Sequence, residues 1–369
     1  AQINMQSWMF LSSFKSLRNI FLHNYAIDSM LHLGPRTFDE LSGEVVQNTA
    51  FVLTKPQDPY GGITMAEIRA LPKSEQEIWK QRFYEDTEKD MDELFLGNPK
   101  GIYYRLVDGK NCADKEQMFL ANKDGNEDGK HIYYPNVEQL NFGKIPDAPI
   151  GYWVSPKIQE IFTSNLALSA VCSPTQGLAT ADNARFLRLW FEPSYSRIGF
   201  GCENAALAAR SQKKWFPYNK GGARRRWYGN QELLVNWEED GKDIKAYKGA
   251  VIRNPSFYFK ECISWGLISG PLFRYFPKGF IYDVQGMSCF FNNIEEIYKE
   301  LAWQNSKVFN EASKIISPAG HIQIGEIGKM PACDNCPEGS SELAKQNISI
   351  SKSDWDAHET SWDFASNEL

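Results

Sequence analysis

The chain has 369 residues, enough for two or three domains because single cores rarely grow beyond about 250 residues. Hydrophobic residues make up 42% and aromatic residues 14% of the sequence, which indicates a globular protein and excludes wholesale disorder. The formal net charge of -6 does not by itself favour nucleic-acid binding, so the distribution of charge along the chain decides that question. No apolar run approaches a membrane span and no secretion signal is present, which predicts a cytoplasmic protein.

The first 55 residues predict the order strand, helix, strand, strand. Residues 1–4 look like part of a strand, from which we expect the chain to begin inside a longer protein. Ser12 or Ser13 is a suitable cap for the helix that follows. Residues 26–33 and 45–53 are apolar runs separated by turn residues, the pattern of a buried sheet with a hairpin-like return. These elements predict the closing part of an α/β sheet whose opening units are missing.

The pattern of hydrophobic and polar residues changes twice after these predicted strands. Residues 58–150 begin with helical periodicity and then become polar, which predicts a helical or irregular connecting region with an acidic helix face near residues 75–93. Residues 151–331 contain many short aromatic and β-branched runs, which predict a mixed α+β domain with a helix at 293–309. Residues 332–369 are polar, but Trp355 and Trp362 predict a tail that docks on the domain.

The cysteines favour a reducing compartment, because they are odd in number and scattered over a long chain. They are Cys112, Cys172, Cys202, Cys262, Cys289, Cys333 and Cys336. The last two form a C-x-x-C, but a tetrahedral zinc site needs a second pair of ligands that the sequence lacks. We expect free thiols and no metal site; zinc binding and a redox role are the less favoured alternatives.

A basic stretch lies between Glu203 and Glu232, where no acidic residue occurs. Its cations are Arg210, Lys213, Lys214, Lys220, Arg224, Arg225 and Arg226. A solvated charged face is the ordinary explanation of such a run. Trp215, Tyr218, Trp227 and Tyr228 lie among the cations, however, together with three glycines, and this combination favours nucleic-acid binding.

Several sequence blocks carry a family resemblance. They are WMFLSSFKSLR (8–18), LGPRTFDELSGEVVQNTAFVL (33–53), YWVS (152–155), GLATADNARFLRLW (177–190), KWFPYNKGGARRRWYGN (214–230), SWGLISGPLFRYFPKGFIYD (264–283) and HIQIGEIGKMP (321–331). Together they resemble the large adenine-specific DNA methyltransferases, most closely the PglX type of bacteriophage-exclusion (BREX) defence systems. The one departure noted is Ala181, where the family usually has glycine.

The resemblance implies a division of labour between this chain and a missing N-terminal half. That half would hold the catalytic loop and S-adenosylmethionine, so we expect the chain alone to be inactive and to bind the cofactor weakly or not at all. Residues 1–57 would be the last strands of a Rossmann-like methyltransferase sheet, and residues 151–331 would be the DNA target-recognition domain. The aromatic that stacks on a flipped adenine would lie near residues 38–55, where Phe38 and Phe51 are candidates, although each is more readily explained as core.

The resemblance and the basic stretch together give the candidate DNA-binding residues. They are Thr180, Asn183, Arg185, Lys213, Lys214, Lys220, Arg224, Arg225, Arg226, Trp227, Tyr228 and Asn230. We expect the lysines to contact phosphates and the arginines to reach base edges. Because Arg224, Arg225 and Arg226 are consecutive, an extended loop would direct the middle one away from its neighbours. The structural alternative is that they pair with Glu232, Glu238 or Glu239.

Other motifs give no support for a complete active site. Asp58-Pro59-Tyr60 lacks the second proline of an N-P-P-Y catalytic loop and is interpreted as a surface turn. Gly199 and Gly201 form a lone G-x-G, which is weak evidence for a cofactor loop. Four histidines that could be considered for hydrolytic catalysis lie outside any hydrolase motif. They are His32, His131, His321 and His358.

Two further functions stay open beside the methyltransferase. The chain would also suit a stand-alone DNA-specificity module, or the C-terminal part of a combined restriction-modification enzyme. The expected partners are double-stranded DNA and, within a defence system, other phage-defence proteins; a membrane is not expected.

Overall fold

The structure, a computed structural model, describes residues 1–39, 46–54, 65–88, 99–127, 129–266, 272–318 and 320–366. The chain divides into two units, Ala1–Thr163 and Ser164–Leu369. The four-part division at residues 57, 150 and 331 stays a prediction. None of the helices in the described ranges is both long enough and apolar enough to cross a membrane.

The first unit is built on a mixed sheet with the order β1-β3-β2-β4-β5. Its strands are β1 (Gln2–Met5), β2 (Ala26–Gly34), β3 (Asn48–Thr54), β4 (Lys100–Arg105) and β5 (Tyr133–Glu138). Its helices are α1 (Lys15–Asn24), α2 (Met65–Ala70), α3 (Lys73–Glu88), α4 (Cys112–Asn122) and α5 (Pro156–Ser164). Strand β3 pairs antiparallel with β1 and β2, whereas β2 and β4 are parallel. The predicted strand, helix, strand, strand order of the first 55 residues is therefore confirmed.

Alternation along the strands explains how this sheet buries one face. Met30 lies opposite Phe51 on β3 and opposite Tyr103 on β4, and all three are buried in one cluster with Trp8 and Leu22. Since side chains alternate between faces with a period of two, their neighbours project from the opposite face. There Tyr104 packs with Phe119 of α4.

Strands β4 and β5 correct the expectation that residues 58–150 are only helical or irregular. The helices α2 and α3 are present, but residues 100–105 add a parallel strand to β2 and residues 133–138 extend the sheet further. The segment that forms β4 is short and contains Gly101 and charged ends, so its alternation was too brief to predict a strand. Its aromatic pair, Tyr103 and Tyr104, packs on the two opposite faces.

The second unit contains two sheets, with the orders β11-β10-β13-β6 and β12-β8-β9-β7. The strands are β6 (Cys172–Thr175), β7 (Leu187–Leu189), β8 (Trp215–Asn219), β9 (Leu233–Asn236), β10 (Cys262–Gly266), β11 (Arg274–Phe276), β12 (Ile281–Tyr282) and β13 (Gly286–Phe291). The helices are α6 (Leu168–Val171), α7 (Asn183–Phe186), α8 (Ala205–Ser211), α9 (Glu238–Lys245), α10 (Ile294–Gln304), α11 (Lys307–Ile316), α12 (Ile324–Ile327) and α13 (Ser340–Asp356). The expected mixture of short strands and helices is present.

The helix predicted at 293–309 is two helices, α10 and α11. The first begins where predicted, because the Asn293 side chain accepts a hydrogen bond from the Glu295 N–H. It ends at Gln304, since Ser306 starts a new helix by accepting a hydrogen bond from the Phe309 N–H. Such a side chain is a strong helix start, and here it divides one apolar periodic run in two.

The end of the chain docks on the second unit, as Trp355 and Trp362 predict. Trp355 is buried on α13, and Trp362 packs on the core of the unit beside Phe280. The expectation of free thiols at Cys333 and Cys336 is wrong, because these residues form a disulfide with their Cα atoms 5.5 Å apart. A Cα–Cα distance of this length places the two sulfurs within bonding reach.

Candidate nucleic-acid interface

The basic stretch is divided into two groups by strand β8. All five residues of β8 are buried, from Trp215 to Asn219. Lys213 and Lys214 precede the strand and Lys220 follows it, so the two groups lie about 20 Å apart at roughly 3.3 Å per residue. A run that is continuous in the sequence therefore forms two separate cationic positions.

The first group is engaged with neighbouring protein groups. The Lys213 ammonium donates a hydrogen bond to the Ser196 carbonyl. The Lys214 ammonium lies 3.2 Å from the Glu238 carboxylate, which also pairs with Arg197 at 3.2 Å. Glu238 therefore offsets part of the positive charge at this end of β8.

The second group lies on the segment 220–230, which we call the basic loop. Gly221 and Gly222 both have positive φ, where glycine carries no steric penalty. A Cβ atom on Gly222 would lie 2.9 Å from the Asn230 amide nitrogen, so the two ends of the loop approach too closely for a larger residue. The Asn230 amide donates to the carbonyls of Gly221 and Ala223 and closes the loop. Asn230 is thus held within the loop as a structural bridge.

Arg274, which sequence reasoning missed, holds the basic loop from beneath. Its side chain is completely buried, and its guanidinium donates to the carbonyls of Gly221 (3.0 Å), Ala223 (3.1 Å) and Arg225 (3.3 Å). Burial, with the charge of Arg225 nearby, lowers the pKa of Arg274 to about 10. The sequence signal was an arginine between phenylalanine and tyrosine in a strand, where a lone cation needs a buried partner.

The aromatic residues of the loop differ in environment. Trp227 has φ +68°, an unusual conformation for a bulky side chain. Its backbone is fixed by hydrogen bonds to Phe273 and from Tyr275, on either side of Arg274. Tyr228 is buried, and burial raises its pKa to about 12. Tyr228 is therefore a core residue of the loop, whereas Trp227 is half-buried.

The middle one of the three consecutive arginines is engaged by the protein, whereas its two neighbours are exposed. Arg224 and Arg226 are exposed, and neither side chain has a hydrogen-bond or ion-pair partner within the described ranges. Arg225 instead pairs with Asp354 at 2.9 Å, and its guanidinium stacks 5.0 Å from the centre of the Trp355 ring. The alternative of pairing with Glu232, Glu238 or Glu239 is therefore wrong for Arg225, whose carboxylate partner is on α13.

Lys220 connects the basic loop to the candidate DNA-binding residues of the segment 177–190. Its ammonium lies 3.0 Å from the Asp283 carboxylate and 3.4 Å from the Asn183 side-chain oxygen. The buried Thr180 hydroxyl donates to the same Asn183 oxygen at 2.6 Å. Arg185 is exposed and lies over the Tyr247 ring. Thr180, Asn183 and Lys220 thus meet at one site.

Ala181 adopts the conformation for which glycine is suited. Its φ is +60°, in the left-handed region. A residue with a Cβ atom adopts this region at a cost, which glycine avoids. The glycine that the resemblance predicts at this position would therefore suit the backbone found here.

The glycine pair of the lone G-x-G does not form a cofactor site. Gly199 and Gly201 flank Phe200, whose ring packs on Tyr195 and Trp362, and a Cβ on Gly199 would overlap the Phe216 ring. These residues do not fit S-adenosylmethionine, because packing fills the space. Asp58-Pro59-Tyr60 lies outside the described residues.

Three candidates of the first unit, Phe38, Phe51 and His32, differ in how far their side chains are buried. Phe51 is core and packs on Trp8, whereas Phe38 is 41% exposed after the end of β2. His32 is buried between the Tyr152 hydroxyl and Gln6, and burial, the largest cause, lowers its pKa to about 3. His32 is therefore a neutral structural residue.

Two known proteins align with this chain over its whole length. The chain is 36% identical over 379 residues to the adenine-specific methyltransferase PglX of Lacticaseibacillus casei (strain Zhang) and 35% identical over 374 residues to the adenine-specific methyltransferase BrxX of Escherichia coli O9:H4 (strain HS). Both alignments cover 100% of this chain but only 28% and 26% of the relatives, so the chain spans about a quarter of their length. The resemblance to PglX-type adenine-specific methyltransferases is confirmed over that segment. No family model matches.

A likeness to one solved structure is much weaker. The type IIG restriction endonuclease BpuSI aligns with 94% of this chain and 41% of its own, with 10% sequence identity and a TM-score of 0.31. A TM-score this low does not establish a common fold.

Proposed function

We propose that this chain supplies DNA target recognition to a site-specific adenine methyltransferase of a BREX phage-defence system. The whole enzyme would transfer the methyl group of S-adenosylmethionine to the amino group of adenine in double-stranded DNA. The observation that carries this proposal is the basic loop, where Arg224 and Arg226 are exposed and unpaired on a backbone fixed by Arg274. Exposed guanidiniums on a rigid support suit bidentate contacts to guanine.

Charge and burial divide the proposed contacts into two kinds. Arg224 and Arg226 would reach base edges, and Arg185 and Lys213 would contact phosphates. Lys214 and Lys220 are each paired with a carboxylate, so we expect smaller contributions from them. Thr180, Asn183 and Asn230 would hold the surface in shape.

The first unit would complete the methyltransferase sheet. Strand β3 lies between β1 and β2 and runs antiparallel to both, and the four residues of β1 are exposed. We propose that these strands are the last part of a Rossmann-like sheet, with the cofactor and catalytic loop supplied by another part of the polypeptide. Phe38, exposed beyond β2, is the better of the two candidates for stacking on a flipped adenine. The enzyme would act in the cytoplasm, beside other phage-defence proteins.

A methylation assay with the full-length polypeptide that carries this sequence tests the activity. We expect transfer of a labelled methyl group from S-adenosylmethionine to adenine at one short sequence in duplex DNA. Transfer only to RNA or protein, or to adenine in any sequence context, would contradict the proposal.

A chimera tests whether recognition lies in the second unit. Residues 164–369 would be replaced by the matching segment of the Escherichia coli BrxX protein, and methylated adenines would be mapped in both proteins. We expect the methylated sequence to change to that of BrxX while the thermal unfolding temperature stays close to that of the parent. Retention of the original methylated sequence by an active chimera would place recognition elsewhere.

A further inference from the structure

The segment 352–363, which we call the C-terminal clamp, contacts the basic loop from behind. Asp354 pairs with Arg225 at 2.9 Å, and Trp355 lies beneath the Arg225 guanidinium at 5.0 Å. Trp355 also limits the loop backbone, since a Cβ on Gly229 would lie 3.1 Å from its ring and Gly229 has φ +115°. The loop and the clamp are therefore in close contact through both side chains and backbone.

A second set of contacts joins the clamp to the same side of the loop and to the segment before β8. The Lys352 ammonium lies 5.4 Å from the centre of the Tyr228 ring. Further along, the Trp190 indole N–H donates to the Thr360 carbonyl at 3.1 Å, and the Trp362 ring packs 5.0 Å from Phe200. The clamp thus touches the basic loop at one end and residues 190–200 at the other.

The clamp is itself held in a fixed shape. Lys352 pairs with Asp356 and with Asp363, 3.0 Å away, and the Ser361 hydroxyl donates to Asp356 at 2.7 Å. These bonds fold the residues after α13 back against the end of that helix. The clamp can therefore act as a rigid support.

The position of Asp354 is difficult to explain by stability or by affinity for DNA. Its side chain is 60% exposed, and exposed ion pairs contribute little to stability. A carboxylate next to a DNA-binding loop also repels phosphates, so it lowers affinity by simple electrostatics. The ion pair with Asp354 does, however, fix the direction of the Arg225 side chain. The loop residues on either side, Arg224 and Arg226, are oriented with it.

We propose that the C-terminal clamp positions the basic loop for sequence discrimination, with Asp354 and Trp355 as its positioning residues. The inference rests on the proposed function, because it assumes that the loop reads DNA. Arg225 is the anchor that the clamp holds, and its two sequence neighbours, Arg224 and Arg226, are exposed.

The test compares the selectivity of variants of the full-length polypeptide that carries this sequence for duplex DNA. The probe is the duplex that the unaltered chain enriches from a random-sequence library, together with versions changed at single base pairs. Asp354→Ala is expected to reduce the ratio of affinities between selected and changed duplexes about five- to tenfold, and Asp354→Glu to restore much of it. Glu342→Ala is the matched control, because Glu342 is an exposed carboxylate on the same helix, about 18 Å from Asp354 at 1.5 Å per residue.

The affinity for each duplex and the ratio of affinities respond differently to a loss of positioning and to a loss of charge. Loss of a negative charge alone would strengthen binding to every duplex and leave the ratio unchanged, and that result would overturn the proposal. A lower ratio in Asp354→Ala, with an unfolding temperature like that of the control, would support it.

The rate of amide hydrogen exchange, measured without DNA, tests the clamp independently of DNA recognition. It therefore distinguishes failure of this inference from failure of the proposed function. Faster exchange in residues 220–230 of Asp354→Ala and Trp355→Ala is expected, since the loop loses its support. Unchanged exchange would overturn the clamp even if the chain reads DNA. Faster exchange in a chain that shows no sequence preference would overturn the proposed function and reduce the clamp to a structural brace.

Discussion

The Lys220 ammonium lies 3.0 Å from the carboxylate of Asp283, whose side chain is almost completely buried. The same carboxylate accepts hydrogen bonds from the Tyr218 hydroxyl at 2.6 Å and from the Gln285 N–H at 2.8 Å. A buried carboxylate needs such partners because removing a charge from water is costly. Lys220 is therefore part of the support of the basic loop, besides being a candidate phosphate contact.

Lys220→Ala is expected to lower the free energy of unfolding by about 1–3 kcal/mol. The loss is smaller than for a fully buried pair, because Lys220 is 24% exposed and Asp283 keeps its two hydrogen bonds. Urea unfolding measures the change. Lys214→Ala is the control, since Lys214 is equally exposed at 25% but its partner Glu238 is 37% exposed, so its loss is expected below about 1 kcal/mol. Equal losses in the two variants would contradict this assignment.

Arg274→Met is expected to destabilise the second unit by roughly 1–3 kcal/mol, because it removes three hydrogen bonds of a buried guanidinium, although the Asn230 amide still donates to two of the carbonyls. The carbonyls affected belong to Gly221, Ala223 and Arg225. Urea unfolding and hydrogen exchange of the basic loop measure the effect. Arg188→Met is a suitable comparison, since Arg188 also donates to two carbonyls but is only half-buried. A loop whose exchange is the same in both variants would show that Arg274 does not hold it.

Glu300 gives the second unit a pH dependence. Burial raises the pKa of its carboxyl to about 7, although the Cys333 N–H donates to one of its oxygens. The folded state therefore keeps a proton that the unfolded state loses from its ordinary pKa of 4.5 upward. Stability from this group is complete below pH 4.5 and falls as the pH rises to about 7, at about 1.4 kcal/mol for each pH unit.

Glu300→Gln is expected to remove that dependence and to raise the unfolding temperature at pH 8. The difference in unfolding free energy between the variant and the parent should grow from pH 5 to pH 7 and then level. Taking this difference cancels the opposite effect of His32, whose lowered pKa destabilises the fold as the pH falls below 6.5. A difference that does not vary with pH would show that Glu300 is ionised in the folded protein at neutral pH.

Local patterns predicted the elements whose signals lie within a few residues. The strands around Met30 and Phe51 follow from apolar runs separated by turn residues, and the start of α10 follows from Asn293. The break at Ser306 and the strand β4 were missed, because a cap within an apolar run and a strand of six residues both give short signals. The Cys333–Cys336 disulfide also depends on loop geometry, which spacing alone does not give.

The candidate interface could be predicted only in its position along the chain. Composition located the basic stretch, and the alternation of Arg224, Arg225 and Arg226 was foreseen. The supports were not, because Arg274 and Asp354 lie 49 and 129 residues away from Arg225 in sequence. Contacts at such separations arise from the fold, and the local sequence does not show which residues will be the partners.

Ala181→Gly is expected to stabilise the second unit by up to about 1 kcal/mol. Glycine removes the cost of the left-handed conformation at φ +60°, and part of this gain is offset by the greater freedom of glycine in the unfolded chain. Thermal unfolding measures the gain. Ala184→Gly, in the short helix α7, is the control and should destabilise, since glycine is unfavourable there. A loss of stability in Ala181→Gly would contradict the interpretation.

Arg224→Ala and Arg226→Ala should each weaken binding to the selected duplex by about 1–3 kcal/mol and relax its selectivity, because these guanidiniums are proposed to reach base edges. Lys213→Ala should weaken binding to all duplexes alike and lower the salt dependence by roughly one counterion. Titrations of the full-length polypeptide that carries this sequence, at two salt concentrations, separate the two effects. Arg69→Ala controls for the loss of one positive charge, since Arg69 is exposed on α2 in the other unit. If both arginine variants, folded as the parent, keep the parent's affinity and selectivity for that duplex, the basic loop is not the recognition surface.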